Sequence, residues 1–350
     1  MTSNLSLAHF NKKVNRNLYI IFHLIILTLN KIWTYKEEEV FMTYQELVQR
    51  IVDLQDEGLE LFNAGKSVLG KNILATHIGR FDGVQILIQG GIHAREYIST
   101  LLMIEQARYL HSIDAVKNGG IYFLFLTNPD GAEIVLDGID TVPCDITKQY
   151  LVLANNGFDF SQYKANINLV DLNTNFDADW GTGGENVRCP STEDFIGFYP
   201  NSEREVISLI DFTRQVRPSL TISYHSKGEV IYYGFMGQNE QSLERDRAIG
   251  EQLSATTGYP LIFTENSAGG YKDWCIQTLG IPAYTIEVGD VNLEHPIMEE
   301  NLPEIFQQNK DVPLIALNEA IQYQNQISIQ SKQKSNPSRI ADLYHRFKRK

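Results

Sequence analysis

With 350 residues, 43% of them hydrophobic, the chain can bury a substantial core as one large domain or two ordinary ones. The net charge of −13 is uneven: residues 325–350 carry +6 and residues 1–41 carry +2, leaving −21 for residues 42–324. So acidic a body argues against nucleic acid as a partner, since phosphates need Lys and Arg to neutralise them.

The chain opens on a segment of doubtful status. Leu18–Leu29 (LYIIFHLIILTL) follows Lys12, Lys13 and Arg16, the pattern of a signal-peptide core or a short anchor. It is short for a membrane span, is interrupted by His23, and no small-x-small cleavage site follows it. The run Glu37-Glu38-Glu39 just before Met42 suggests a third reading, in which a translated ribosome-binding site precedes the true start. We expect residues 1–41 to be an extension of one of these kinds. With Met42 as the start the protein is expected in the cytoplasm; otherwise it is exported or anchored, and only then meets a membrane.

From Thr43 a capping box, Thr43-Tyr44-Gln45-Glu46, opens an amphipathic helix, TYQELVQRIVDLQDE. Strand-like runs follow at Val84–Gln89, Gly120–Leu126, Leu220–Tyr224, Glu229–Tyr233 and Ala283–Val288. Helical periodicity marks Ser99–Ile113, Glu203–Val216, Gln241–Thr256 and Pro303–Gln324. Apolar strands alternating with helices predict an α/β fold, a single domain over 42–324 with a mixed, mostly parallel central sheet. Residues 325–350 form a basic tail, and a tail of this kind is more often a solvated end than a binding element. Cys144, Cys189 and Cys275 have no CxxC spacing and read as free thiols, which favours a reducing compartment; a bridge between Cys144 and Cys189 stays open.

Ligands of such sheets bind beyond the carboxyl ends of the strands, and the polar motifs fall there. Behind Val84–Gln89 the chain spends two glycines, Gly90 and Gly91, and then places His93 and Glu96 three positions apart. Alone, His-x-x-Glu is a weak signal, since polar residues in turns are common. Zinc, however, takes imidazole nitrogen and carboxylate oxygen together, and a catalytic site needs a third ligand beside an open position. His225 ends the apolar strand LTISY, although a hydrogen-bonded core histidine is the commoner reading of such a residue taken by itself. The sequence Asn128-Pro129-Asp130-Gly131 is a strong turn in its own right.

QGGIHAREYIS, NPDG, VDLNTNF at 170–176, SYHSKGE at 223–229 and TIEVG at 285–289 stand in an order that closely resembles the zinc carboxypeptidase family. The likeness runs from about Thr43 to about residue 320. The wording YKAN, YPNSERE and GGYKDW is most similar to the branch of γ-D-glutamyl-diaminopimelate peptidases, which cut cell-wall peptides. This resemblance implies one zinc ion held by His93, Glu96 and His225, Glu287 as general base, and Lys164 in place of the arginine that polarises the scissile carbonyl. It implies a peptide substrate derived from murein, with Asn173 retained as a binding residue. Thr174 stands where the family's carboxylate-binding arginine belongs, which puts ordinary C-terminal exopeptidase action in question. Lys272, at the pocket position that reads the substrate side chain, and Arg188 are expected to pair with acidic substrate groups. Asp171 is expected to orient one zinc histidine, whereas His77, His111 and His295 are expected to be ordinary. The rival readings are a conventional metallocarboxypeptidase, an N-acyl amino acid amidohydrolase, or, from another class, an inactive peptidoglycan-binding module.

Overall fold

The structure, a computed structural model, describes residues 42–334. The expectations for residues 1–41, and for the part of the basic tail from 335 on, lie outside the described residues. Among those described, no helix is long and apolar enough to cross a membrane.

The first helix, α1 (Tyr44–Asp53), begins as its sequence dictates: Thr43 Oγ1 accepts from the Glu46 N–H at 3.2 Å, and Glu46 Oε2 accepts from the Thr43 N–H at 2.7 Å. An antiparallel pair follows, β1 (Leu61–Lys66) and β2 (Asn72–Gly79). Next come β3 (Gln85–Gln89), α2 (Tyr97–Ser112), β4 (Gly120–Leu124), α3 (Pro129–Asp137), α4 (Asp145–Ala154) and α5 (Arg204–Val216). The second half holds β5 (Thr221–His225), β6 (Val230–Tyr233), α6 (Glu240–Thr257), β7 (Leu261–Phe263), α7 (Tyr271–Trp274), β8 (Ala283–Glu287), α8 (Leu302–Asn309) and α9 (Val312–Lys334).

The eight strands make one sheet in the order β1-β2-β4-β3-β5-β8-β6-β7. Its centre, β4-β3-β5-β8, is parallel, while the β1, β2 and β6 pairings next to it bring in antiparallel ladders. All five residues of β3 and of β5 are buried, as expected of strands covered on both faces. Leu87 packs into one core with Leu209 and Phe212 of α5 and Trp274 of α7. Ile86 and Ile88, one residue out of phase, turn to the opposite face. A smaller core joins Ala94, Leu151 of α4, Phe160, Tyr163 and Ala165, so the inserted α3–α4 segment packs against the turn that carries His93.

Expected and observed elements differ in several places. β1 and β2 carry Asn63, Gly65 and Asn72, and β1 bulges between Asn63 and Gly65, so no clean alternation announces them. The expected turn at Asn128–Gly131 is a helix start: Asn128 Oδ1 accepts from the Gly131 N–H at 3.0 Å and Pro129 sits in the first turn. No pattern in the sequence announces α4, the three-residue strand β7 or the four-residue helix α7. The single helix expected over Pro303–Gln324 breaks between Asn309 and Val312, and its second half runs past 324 to Lys334.

Candidate metal centre

The two glycines of the opening turn sit where neighbouring side chains crowd the backbone, and Gly91 also takes a left-handed φ. A Cβ on Gly90 would meet Met103 Cε at 2.6 Å, and one on Gly91, at φ +59°, would meet Leu126 Cδ1 at 2.5 Å. Ser99 then fixes the turn, its Oγ accepting from the Gly91 N–H at 2.9 Å and donating to the Glu96 carbonyl at 2.7 Å. Glu96 immediately precedes α2, where the helix N-terminus favours its negative charge.

The fold brings His93, Glu96 and His225 together, all buried. His93 Nδ1 lies 2.8 Å from Glu96 Oε1, and His225 Nδ1 lies 3.1 Å from both His93 Nδ1 and Glu96 Oε2. Three donors that share a zinc ion at about 2.0–2.2 Å stand about 3.3 Å apart in a tetrahedral site, close to these separations. His225 Nε2 has no hydrogen-bond partner, so nothing else claims that ring. The donor set and its spacing fit a zinc ion.

The surroundings ask for positive charge. Burial depresses the His93 imidazole, but Glu96 and Asp171 reverse this and push it up to about 9. Burial by itself raises Glu96 and Asp171; the neighbouring His93, with His225 for one and Lys164 for the other, holds both well below the usual carboxylate range. His225, dominated by burial, is held below the ordinary histidine value. Asp171 Oδ1 comes within 3.2 Å of His93 Nε2, an electrostatic contact off the line of a good hydrogen bond. Asp171 is the carboxylate that stands beside the second nitrogen of the His93 ring.

Glu287 ends β8 directly opposite His225 in the parallel register of β5. Burial first, and the charge of Glu96 second, push its carboxyl up to about 8. Lys164 lies beside the cluster, but two of its N–H groups are committed, to Asp171 Oδ2 at 2.9 Å and to Asp194 Oδ1 at 3.1 Å. Burial works against its charge, and Asp171 outweighs it, so the ammonium keeps its proton more firmly than a free lysine.

The remaining candidates are placed otherwise. Asn173 Oδ1 accepts from the Tyr271 N–H at 3.1 Å, and Thr174 Oγ1 donates to the Asp171 carbonyl at 2.9 Å, so both hold the loop together. Lys272 is buried, with Nζ on Asp273 Oδ1 at 2.6 Å and on the Gly234 carbonyl at 2.7 Å. Its charge is matched inside the protein, contrary to the expectation of a cation left for the substrate. Arg188 is exposed and donates to the Gly181 carbonyl at 2.7 Å. All three cysteines are free. His77 is stacked on Phe81 at 4.1 Å. His295, expected to be ordinary, lies in the field of Glu96 and His93, and burial pushes its imidazole down to about 4. No motif points to it, because it lies in an irregular loop six residues beyond the end of TIEVG.

Two buried imidazoles and a carboxylate converge at the carboxyl ends of a mixed sheet, with a second carboxylate one strand away. The chain belongs to the zinc carboxypeptidase family, whose model matches residues 44–311. It is 34% identical over 252 residues to γ-D-glutamyl-L-diamino acid endopeptidase 1 of Lysinibacillus sphaericus, covering 67% of this chain and 62% of that protein. It is 28% identical over 213 residues to carboxypeptidase A2 of Rattus norvegicus, covering 56% and 48%. The chain therefore spans about 62% of the length of the first of these relatives and less of the second. Carboxypeptidase A of Helicoverpa armigera superposes with a TM-score of 0.64 over 80% of this chain and 74% of that one, at 21% identity, which is a likeness of fold.

Proposed function

We propose that the protein is a zinc-dependent peptidase that hydrolyses γ-D-glutamyl-diamino acid bonds in cell-wall peptides. The observation that carries the reading is the triangle of His93 Nδ1, His225 Nδ1 and the Glu96 carboxylate, with Glu287 in register beside it. The likeness to the Lysinibacillus sphaericus endopeptidase supports the choice of bond. The internal role of Thr174 supports it too: losing an arginine from a carboxylate site removes a charge-assisted contact worth about 1.5–3 kcal/mol.

In this reading His93, Glu96 and His225 hold one zinc ion, which when bound supplies Lewis acidity and makes water a competent nucleophile near neutral pH. Glu287 takes the proton of the attacking water and returns it to the leaving amine. Its partial desolvation suits a group that must both accept and release a proton. Lys164 keeps one N–H beyond its two aspartates to meet charge that grows on the scissile carbonyl oxygen. Asp171 and Lys164 together fix the His93 ring.

Mass spectrometry of products from L-Ala-γ-D-Glu-meso-diaminopimelate peptides, incubated with zinc-loaded protein, tests the proposal. Release of L-Ala-D-Glu and a diaminopimelate fragment is expected. Exclusive removal of a C-terminal residue, or turnover of N-acyl amino acids alone, would replace it.

A further inference from the structure

The loop after Glu287 is tied down by side chains from two other segments. Lys227 Nζ, two residues beyond His225, donates to the Val291 carbonyl at 2.8 Å and also to the Leu293 carbonyl. Gln162 Nε2 donates to the His295 carbonyl at 2.6 Å, while the Gln162 carbonyl accepts from Arg95 Nη1 at 2.7 Å. Arg95 lies between His93 and Glu96, and Gln162 lies two residues before Lys164. The His295 backbone is thus fastened to the segments that carry the metal-binding residues and Lys164.

One nitrogen of its ring, by contrast, is unclaimed. His295 Nδ1 is buried without a hydrogen-bond partner, and the residue as a whole is only partly covered. Native proteins leave few buried polar atoms unpaired, and each one calls for an explanation, a bound ligand among them. Burial is the main reason the ring stays neutral; Arg95 and Lys227 act in the same direction, against the pull of Glu96. A neutral imidazole offers one donor and one acceptor nitrogen, the two complements of an amide group. The neighbouring Arg95 Nε is also buried and unpartnered, at the other end of the Gln162 bridge.

We infer that His295 is a substrate-binding residue of this site, its imidazole hydrogen-bonding an amide of the bound peptide. The inference rests on the reading of the site as a peptidase.

The test compares zinc-loaded full-length protein with its His295→Phe and His295→Gln variants. Phenylalanine keeps a ring and removes both nitrogens; glutamine keeps a donor and an acceptor. KM and kcat are measured on L-Ala-γ-D-Glu-meso-diaminopimelate and, in parallel, on N-acyl dipeptides with a free carboxyl end. Zinc content and Tm are recorded for each protein. His295→Phe should raise KM at least tenfold with zinc content unchanged and Tm no lower, and His295→Gln should recover most of that loss. Wild-type KM in the phenylalanine variant overturns the inference, as does an equal loss in both variants accompanied by a lower Tm. If only the dipeptides are cleaved, the assignment of the murein bond falls and the same comparison, run on them, decides the role of His295. A readout free of turnover uses 15N-histidine spectra of zinc-loaded Glu287→Gln protein titrated with the peptide that binds. A shift of the His295 ring signals is expected, and signals that stay fixed while those of other histidines move overturn the inference.

Discussion

His225 and Glu287 face each other in register at the ends of the neighbouring parallel strands β5 and β8, about 4.8 Å apart across the ladder. Paired residues of parallel strands project to the same side, so the sheet itself aims the imidazole and the second carboxylate at one volume. Because Glu287 is no member of the donor triangle, its charge can be removed without touching the three residues proposed to hold zinc. Glu287→Gln is expected to keep a full complement of zinc and lose about 10²–10⁴-fold in kcat. Zinc analysis beside steady-state kinetics checks this, and a variant that loses zinc along with activity would make Glu287 a ligand.

Asp171 touches His93 from behind and is itself held by Lys164. Replacing it with Asn keeps the shape and removes the charge that steadies the ring. Asp171→Asn should weaken zinc affinity about 10–100-fold, as for other carboxylates behind metal histidines. Competition with a chromogenic chelator measures it. His225→Ala, which removes a donor outright, should be the more severe of the two.

Much of this site is visible in the sequence, for physical reasons. His93 and Glu96 are three residues apart in one turn, and His225 and Glu287 end strands whose apolar runs are plain, so chain order alone lists the cluster. The central strands are equally plain because burial on both faces forces continuous apolar runs. What stayed hidden depends on contacts distant in sequence. The edge strand β1, with Asn63 and Gly65, owes its structure to pairing with β2. Lys272 gives no hint in sequence that its neighbour Asp273 turns inward to meet it. The His295 carbonyl is held by Gln162, and the loop before it by Lys227, neither of which shares a motif with it.

Lys272 and Asp273 form a buried ion pair. Lys272→Met leaves Asp273 without its cation, and breaking such a pair costs about 3–5 kcal/mol. The variant is expected to melt at a markedly lower temperature, with the loss recovered in part by a second change, Asp273→Asn. Calorimetry of the single and double variants gives the coupling. An unchanged Tm with a raised KM for acidic peptides would restore Lys272 as a substrate-reading cation.

Glu205, buried at the start of α5, makes stability depend on pH. Its Oε1 accepts from the Val68 N–H at 3.0 Å and its Oε2 lies 3.3 Å from Asn166 Nδ2, with the charge of Asp130 also acting on it. Burial pushes its carboxyl from the ordinary 4.5 up to about 7, more than these hydrogen bonds pull it down. A carboxyl raised in the folded state binds its proton more tightly there than in the unfolded chain. Its stabilising contribution is therefore complete below about pH 4.5 and is lost as the pH rises through about 7. The shift corresponds to an upper bound of about 3 kcal/mol. Glu205→Gln, which does not titrate, should remove this slope, so the stability of the variant relative to the native chain should rise between pH 5 and pH 8. Urea unfolding of both proteins across that range measures the difference, and a difference that stays constant with pH would mean that Glu205 is already ionised at pH 5 in the folded protein.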